Sequence, residues 1–140
     1  MRTLRLVALT IVAVLMLTAV ANAACATTDL NNTTWYVYVS ASQSWTRCIV
    51  TIGPTGVVAN GTACRSYNGS THLFSNETVV GGNVLAVTTS CLMTSRFVKT
   101  NVSGTHTITE AMLDRGKNIL TGYGKDTADG SGWSFTAVRK

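Results

Sequence analysis

Two histidines, six carboxylates and a cluster of aromatic side chains are what this 140-residue chain offers for chemistry. His72 and His106 lie far apart, neither has a second histidine at metal-ligand spacing, and no Cys-x-x-Cys occurs. His106 alternates with Thr105 and Thr107 and reads, like His72, as a surface or half-buried strand residue. Asp29, Glu77, Glu110, Asp114, Asp126 and Asp129 are spread thinly, so no spacing pairs two of them for acid–base work. Asp126 and Asp129 in "DTADGSG" are of calcium-ligating type, but the loop lacks an acidic closing ligand and reads as a solvated turn. No serine occupies a Gly-x-Ser-x-Gly elbow. Nucleophile, base and orienting acid are not assembled by any motif, which points to a non-enzymatic chain with no metal or cofactor.

The aromatic residues are the stronger lead. Trp35, Tyr36, Tyr38 and Trp45 fall within eleven residues of one another, and Arg47 follows. Rigid aromatic and arginine side chains dominate binding hot spots. Trp35 and Tyr38 also suit a core or the closed end of a barrel. Trp45, read as part of the loop "SASQSWTR", has no alternating partner that would carry it into a core. The expected binding surface is therefore Trp45 with Arg47, Tyr36 and Tyr38.

Residues 1–23 have the three parts of a secretory signal: Arg2 and Arg5, an apolar run, and Ala21-Asn22-Ala23 before the cut. The run falls short of the ~20 apolar residues that a spanning helix needs, so no stable membrane insertion is expected once the signal is removed. The expected organisation is a signal peptide, 1–23, and one domain, 24–140, secreted or periplasmic. The alternative is lipidation at Cys25, for which Asn22 is a poor third residue upstream. Cysteine parity also favours a disulfide: Cys25, Cys48, Cys64 and Cys91 make two bridges in an exported chain, from three possible connectivities. Cys48 and Cys64 bracket a short hairpin-like segment, and a bridge there stabilises by roughly 3 kcal/mol through the unfolded state. Cys25 with Cys91 then follows by elimination.

The whole chain is net +5, of which Arg2 and Arg5 supply two charges. The remaining nine basic against six acidic residues are an ordinary balance, and no basic run interleaves with aromatics. Nucleic acid is not an expected partner. Six Asn-x-Ser/Thr sequons, at Asn31, Asn32, Asn60, Asn68, Asn76 and Asn101, matter only in a eukaryotic secretory path.

The elements that would position these residues are β-strands. Thr and Val dominate, there is one proline, and Gly or Asn marks a turn about every ten residues. "TWYVYVS" sets Trp35, Val37 and Val39 against Tyr36 and Tyr38; "RCIVTIG" sets Cys48, Val50 and Ile52 on one side. "VVANGTAC" reads as a returning strand after the Pro54–Gly56 turn, and Asn68-Gly69 as a hairpin. "ETVVGGNVLAVTTSC" reads as two strands about Gly81–Asn83, and "SRFVKTNVSGTHTITEAML" as two more about Ser103-Gly104. "ITEAMLDRG" has helical composition but lies between strands and reads as one. "KNILTGYGK" and "GWSFTAVRK" close the chain as a hairpin, with Trp133, Phe135 and Ala137 on one face. About eight short strands joined by tight turns predict a small antiparallel up-and-down β-barrel, with a β-sandwich as the alternative.

The stretch "DLNNTTWYVYV…RCIVTIGPTGVVANGTAC" resembles the opening of the bacterial periplasmic metalloprotease inhibitors, small eight-stranded barrels. Leu30, Trp35, Cys48 and Thr62-Ala63-Cys64 carry the likeness over about 40 residues, with Leu30 and Trp35 one residue further apart than the pattern wants. The second half has no counterpart, and Cys25 and Cys91 are extra. The resemblance implies an exported inhibitor whose N-terminal arm, here Ala24 to Asp29, enters a protease cleft. A lipocalin-like barrel is a second analogy, in which Trp35 would pack against Arg139 at the barrel floor. The expected partner is accordingly an exported hydrolase. The alternatives are a small apolar ligand carried inside the barrel, or a structural role at the envelope or cell surface.

Overall fold

Strict alternation along "TWYVYV" builds the first wall: Trp35 is 2% exposed and Tyr38, three residues on, is 50% exposed. The computed structural model describes residues 24–140, and the expected signal peptide lies outside them. Eight strands follow in order: β1 (Thr33–Ala41), β2 (Ser44–Ile52), β3 (Ala63–Asn68), β4 (Leu73–Gly82), β5 (Leu92–Thr100), β6 (Thr105–Leu113), β7 (Ile119–Asp126) and β8 (Gly132–Arg139). Each pairs antiparallel with its neighbour, and β8 returns to β1, closing an up-and-down barrel. Closure removes the two exposed edges that an open sheet of this length would leave for aggregation. Among the described residues there is no helix, hence none able to cross a membrane.

The barrel, not the sandwich, is the architecture. "ITEAML" is strand, as its position between strands requires. Two other expectations fail. "VVA" forms no strand of its own; only an isolated Ile52–Val58 bridge survives there, and Ala59 N–H donates to the Thr51 carbonyl. "NVLAVTTS" likewise runs irregularly, although its residues have high strand propensity. Its backbone is used elsewhere: Leu85 N–H donates to the Gly56 carbonyl and Thr88 N–H to that of Leu92. Both segments cross one end of the barrel instead of lengthening its wall. Gly56 permits the crossing, because its φ is +80° and a β-carbon would stand 2.9 Å from Val84.

That end is the closed floor. Leu30, Trp35, Val58, Leu85, Val87, Met93 and Leu113 are all buried there in one hydrophobic cluster. The Trp35 indole N–H donates to Thr33 Oγ1 at 2.7 Å, and that hydroxyl donates to the Leu30 carbonyl, so the buried polar atoms are paired. The expected Trp35–Arg139 contact is formed, with the guanidinium 5.9 Å from the ring centroid and Nη1 donating to the Lys117 carbonyl.

Both disulfides form as parity and elimination anticipated. Cys48 and Cys64 are directly paired on β2 and β3, and Cys25 is bonded to Cys91 at the start of β5. The Cys25 bridge pins the segment before β1 against the floor, helped by Asp29, which accepts from Ala26 N–H at 2.7 Å and from Lys117 Nζ at 3.0 Å.

Candidate functional site

Inward-facing residues of the eight strands do not fill the barrel. They enclose a cavity of about 450 Å³, reaching from the floor at Trp35, Ile52 and Val58 to the opposite rim at Ser44, Asn68 and Val102. Asn68, Ser75 and Val102 are exposed, so the cavity opens at this end. Its volume lies within the roughly 300–1,000 Å³ typical of small-molecule sites. The lower wall is apolar, with Val37, Val50 and Val79; the upper wall carries nearly every polar group.

Glu77 is the most buried of these groups. It shares the parity of Val79 on β4, sits opposite Cys64, and is 6% exposed. Four donors converge on it. Ser66 Oγ donates to Oε1 at 2.8 Å; Thr100 Oγ1 (2.9 Å), Ser103 Oγ (2.7 Å) and Ser103 N–H (3.3 Å) all donate to Oε2. Burial raises its pKa, but the hydrogen bonds from Ser103, Ser66 and Thr100 outweigh it and hold the carboxyl below its ordinary value. Glu77 is therefore an anion inside the barrel.

A second polar group stands beside it. His106 on β6 is directly paired with Asp126 on β7, and His106 Nδ1 lies 2.5 Å from Asp126 Oδ1. A carboxylate only accepts, so Nδ1 carries the proton. Nε2 lies 3.4 Å from Thr100 Oγ1, which links this pair to Glu77. The Trp133 indole N–H donates to Asp126 Oδ1 at 3.1 Å. Trp133 reaches that position because Gly124, facing it across β7 and β8, has no side chain: a β-carbon there would lie 2.4 Å from the indole ring. Gly122 makes the same room for Phe135.

Among the described residues no Lys or Arg lines the cavity. Arg96 pairs with Ile108 and so occupies an inward-facing position, but it lies outside the cavity wall and its Nε has no hydrogen-bond partner. Among the described residues there is no group of three or more His, Cys, Asp or Glu able to hold a metal ion.

The residues picked from sequence sit on the other side of the wall. Trp45 and Arg47 belong to β2, not to a loop; the β1–β2 turn is only Ser42-Gln43. Both point outward, as do Tyr36 and Tyr38 on β1, and cross-strand register aligns Tyr38 with Arg47 and Tyr36 with Ile49. Trp45 is 45% exposed and stacks on Tyr67, with Phe74 edge-on to it; both centroid distances are 6.0 Å. Arg65 lies 4.6 Å from the Phe74 ring centre. The outer face thus carries an aromatic row of Trp45, Tyr67 and Phe74 with Arg47 and Arg65, of which sequence reasoning found Trp45 and Arg47. Sequence reasoning missed Glu77, His106 and Asp126 as a group. The available signal was parity: Glu77 alternates in phase with Val79, and His106 with Ile108.

No protein-family model matches the chain, and no curated protein matches it.

Proposed function

We propose that this protein is a non-enzymatic binder of small ligands and holds one molecule inside its barrel. The observation that carries this reading is the 450 Å³ cavity, apolar in its depth, polar near its mouth and open at one end. A barrel meant only as a scaffold gains stability by filling its interior, since unfilled volume costs contact energy. Here the inward-facing residues leave that volume open, from the floor at Trp35 and Ile52 to the rim at Ser44 and Asn68. Few polar groups converging in a mainly apolar pocket is the usual composition of a ligand site.

The test is a fluorescence titration with N-phenyl-1-naphthylamine, a neutral apolar probe that brightens when desolvated. Saturable binding is expected, and Val39→Phe, which fills the lumen, should weaken it at least about tenfold, the equivalent of 1.4 kcal/mol. Absence of saturable binding by the folded protein refutes the reading.

A second reading, recognition of an exported hydrolase or other protein, draws on the outer row of Trp45, Tyr67 and Phe74 with Arg47 and Arg65. In that reading the contact is made by the wall. The segment from Ala24 to Asp29 is tied down by Cys25, which is 3% exposed.

A further inference from the structure

Resting on the lumen reading, we propose that the ligand is an amphipathic organic cation: a protonated amine on an apolar body. The cavity has a sign. Glu77 and Asp126 face it, and among the described residues its lining contains His106 but no Lys or Arg. With His106 protonated the lining carries one net negative charge, and with it neutral two. Glu77 is held as an anion by hydroxyl and amide donors, all of them neutral. Neutral donors satisfy its hydrogen-bonding capacity but leave the charge itself uncompensated, a costly state in a poorly solvated interior. A cation in the lumen supplies that compensation. Oε1 accepts from Ser66 alone, which leaves room for a further donor from a ligand.

The remaining walls suit the rest of such a molecule. Trp133 and Phe135 stand at the polar end, 6.0 Å apart by centroid, and offer ring faces to an ammonium group. Below them Val37, Val50, Val79 and Leu85 form an apolar pocket for the body, closed by Trp35. A cationic head at the carboxylates and an apolar tail toward the floor fills the cavity in its own polarity. A fatty-acid-like anion in the same pose would bring a third negative charge beside Glu77 and Asp126. Among the described residues Arg96 and Arg139 have inward-facing registers, but neither lines this wall: Arg139 lies over the Trp35 ring at the floor.

The purified protein is titrated calorimetrically at pH 7 with three probes of equal chain length: octylamine, 1-octanol and octanoate. Octylamine is expected to bind at least about tenfold tighter than octanol, as a desolvated cation–carboxylate and cation–π contact predicts, with octanoate weakest. Glu77→Gln should erase most of that preference while octanol binding changes less than about twofold, well within one decade of Kd. Asp126→Asn serves as the second variant if Glu77→Gln does not fold. Equal binding of all three probes, or octanoate as the tightest, overturns the charge inference and leaves the lumen reading standing. Failure of all three to bind where N-phenyl-1-naphthylamine binds overturns the charge inference alone, and failure of all four overturns both. An amine preference unchanged in every folded variant also overturns it, since the carboxylates would not be its source.

Discussion

Gly124 and Trp133 occupy one space: a β-carbon on Gly124 would lie 2.4 Å from the Trp133 ring and 2.2 Å from the Thr107 carbonyl oxygen. The second of these neighbours is backbone and cannot rotate away. Gly124→Ala is therefore expected to lower unfolding free energy by about 1–3 kcal/mol, the range for overpacking a tight site. Urea denaturation followed by far-UV dichroism measures this, and a shifted Trp133 emission should accompany it. A neutral effect would mean that the β7–β8 wall is looser than its register implies.

Acid should weaken the fold, and Glu77 should account for part of the loss. Its folded-state pKa is below the ordinary 4.5, held there by the Ser103, Ser66 and Thr100 hydrogen bonds against the opposing effect of burial. A depressed carboxyl contributes stability that is present above its unfolded pKa and lost as pH falls through the folded one. Asp114, held low chiefly by the Ile119 N–H, and Asp129, held low chiefly by Ser131 N–H, act with the same sign. Thermal melts from pH 7 downward should stay level until about 4.5 and then decline. Glu77→Gln should flatten that decline in part and not abolish it.

Removal of the two disulfides should cost unequal amounts. Cys25–Cys91 closes a separation of 66 residues and Cys48–Cys64 one of 16. Chain-entropy scaling gives about 4 kcal/mol for the longer loop and about 3 kcal/mol for the shorter. Cys25→Ser with Cys91→Ser is thus expected to be the more damaging pair, with equilibrium denaturation as the measurement. Thiol alkylation without reductant, read by intact mass, should find no modified cysteine in the parent protein.

Trp45→Ala removes a partly exposed ring that stacks on Tyr67 and meets Phe74 edge-on. Such aromatic pairs contribute about 0.5–1.5 kcal/mol beyond their area, so stability should fall by about 1 kcal/mol and the fold persist. Ligand titration into the lumen should be unaffected, because Trp45 lies outside the wall. If a protein partner uses the outer face, the same change should weaken its binding by about 2 kcal/mol or more, which surface plasmon resonance would register.

Period-two alternation was legible before any coordinate, because a strand turns successive side chains to opposite faces whatever it pairs with. It placed Trp35, Val37 and Val39 together, Tyr36 and Tyr38 against them, and Trp133, Phe135 and Ala137 on one side. Cysteine parity likewise constrained the bridges, since oxidised thiols pair in twos. Strand propensity was the weaker guide: "VVA" and "NVLAV" have the composition of strands and are used to roof the floor, where hydrogen bonds to the Gly56 and Thr51 carbonyls decide otherwise. The small, polar "SASQS" points to a loop at Trp45, yet cross-strand pairing with Ser40 and Tyr67 extends β2 through it. The lumen lay beyond reach for a different reason. Alternation says which residues share a face, but not which strands face one another across a closed barrel or how far apart they stand. Glu77 on β4 meets Thr100 on β5, and Thr100 meets His106, which meets Asp126, only because the β4–β5, β5–β6 and β6–β7 registers bring those positions to one level. That level is set by three successive registers acting together, and no local stretch of sequence contains it.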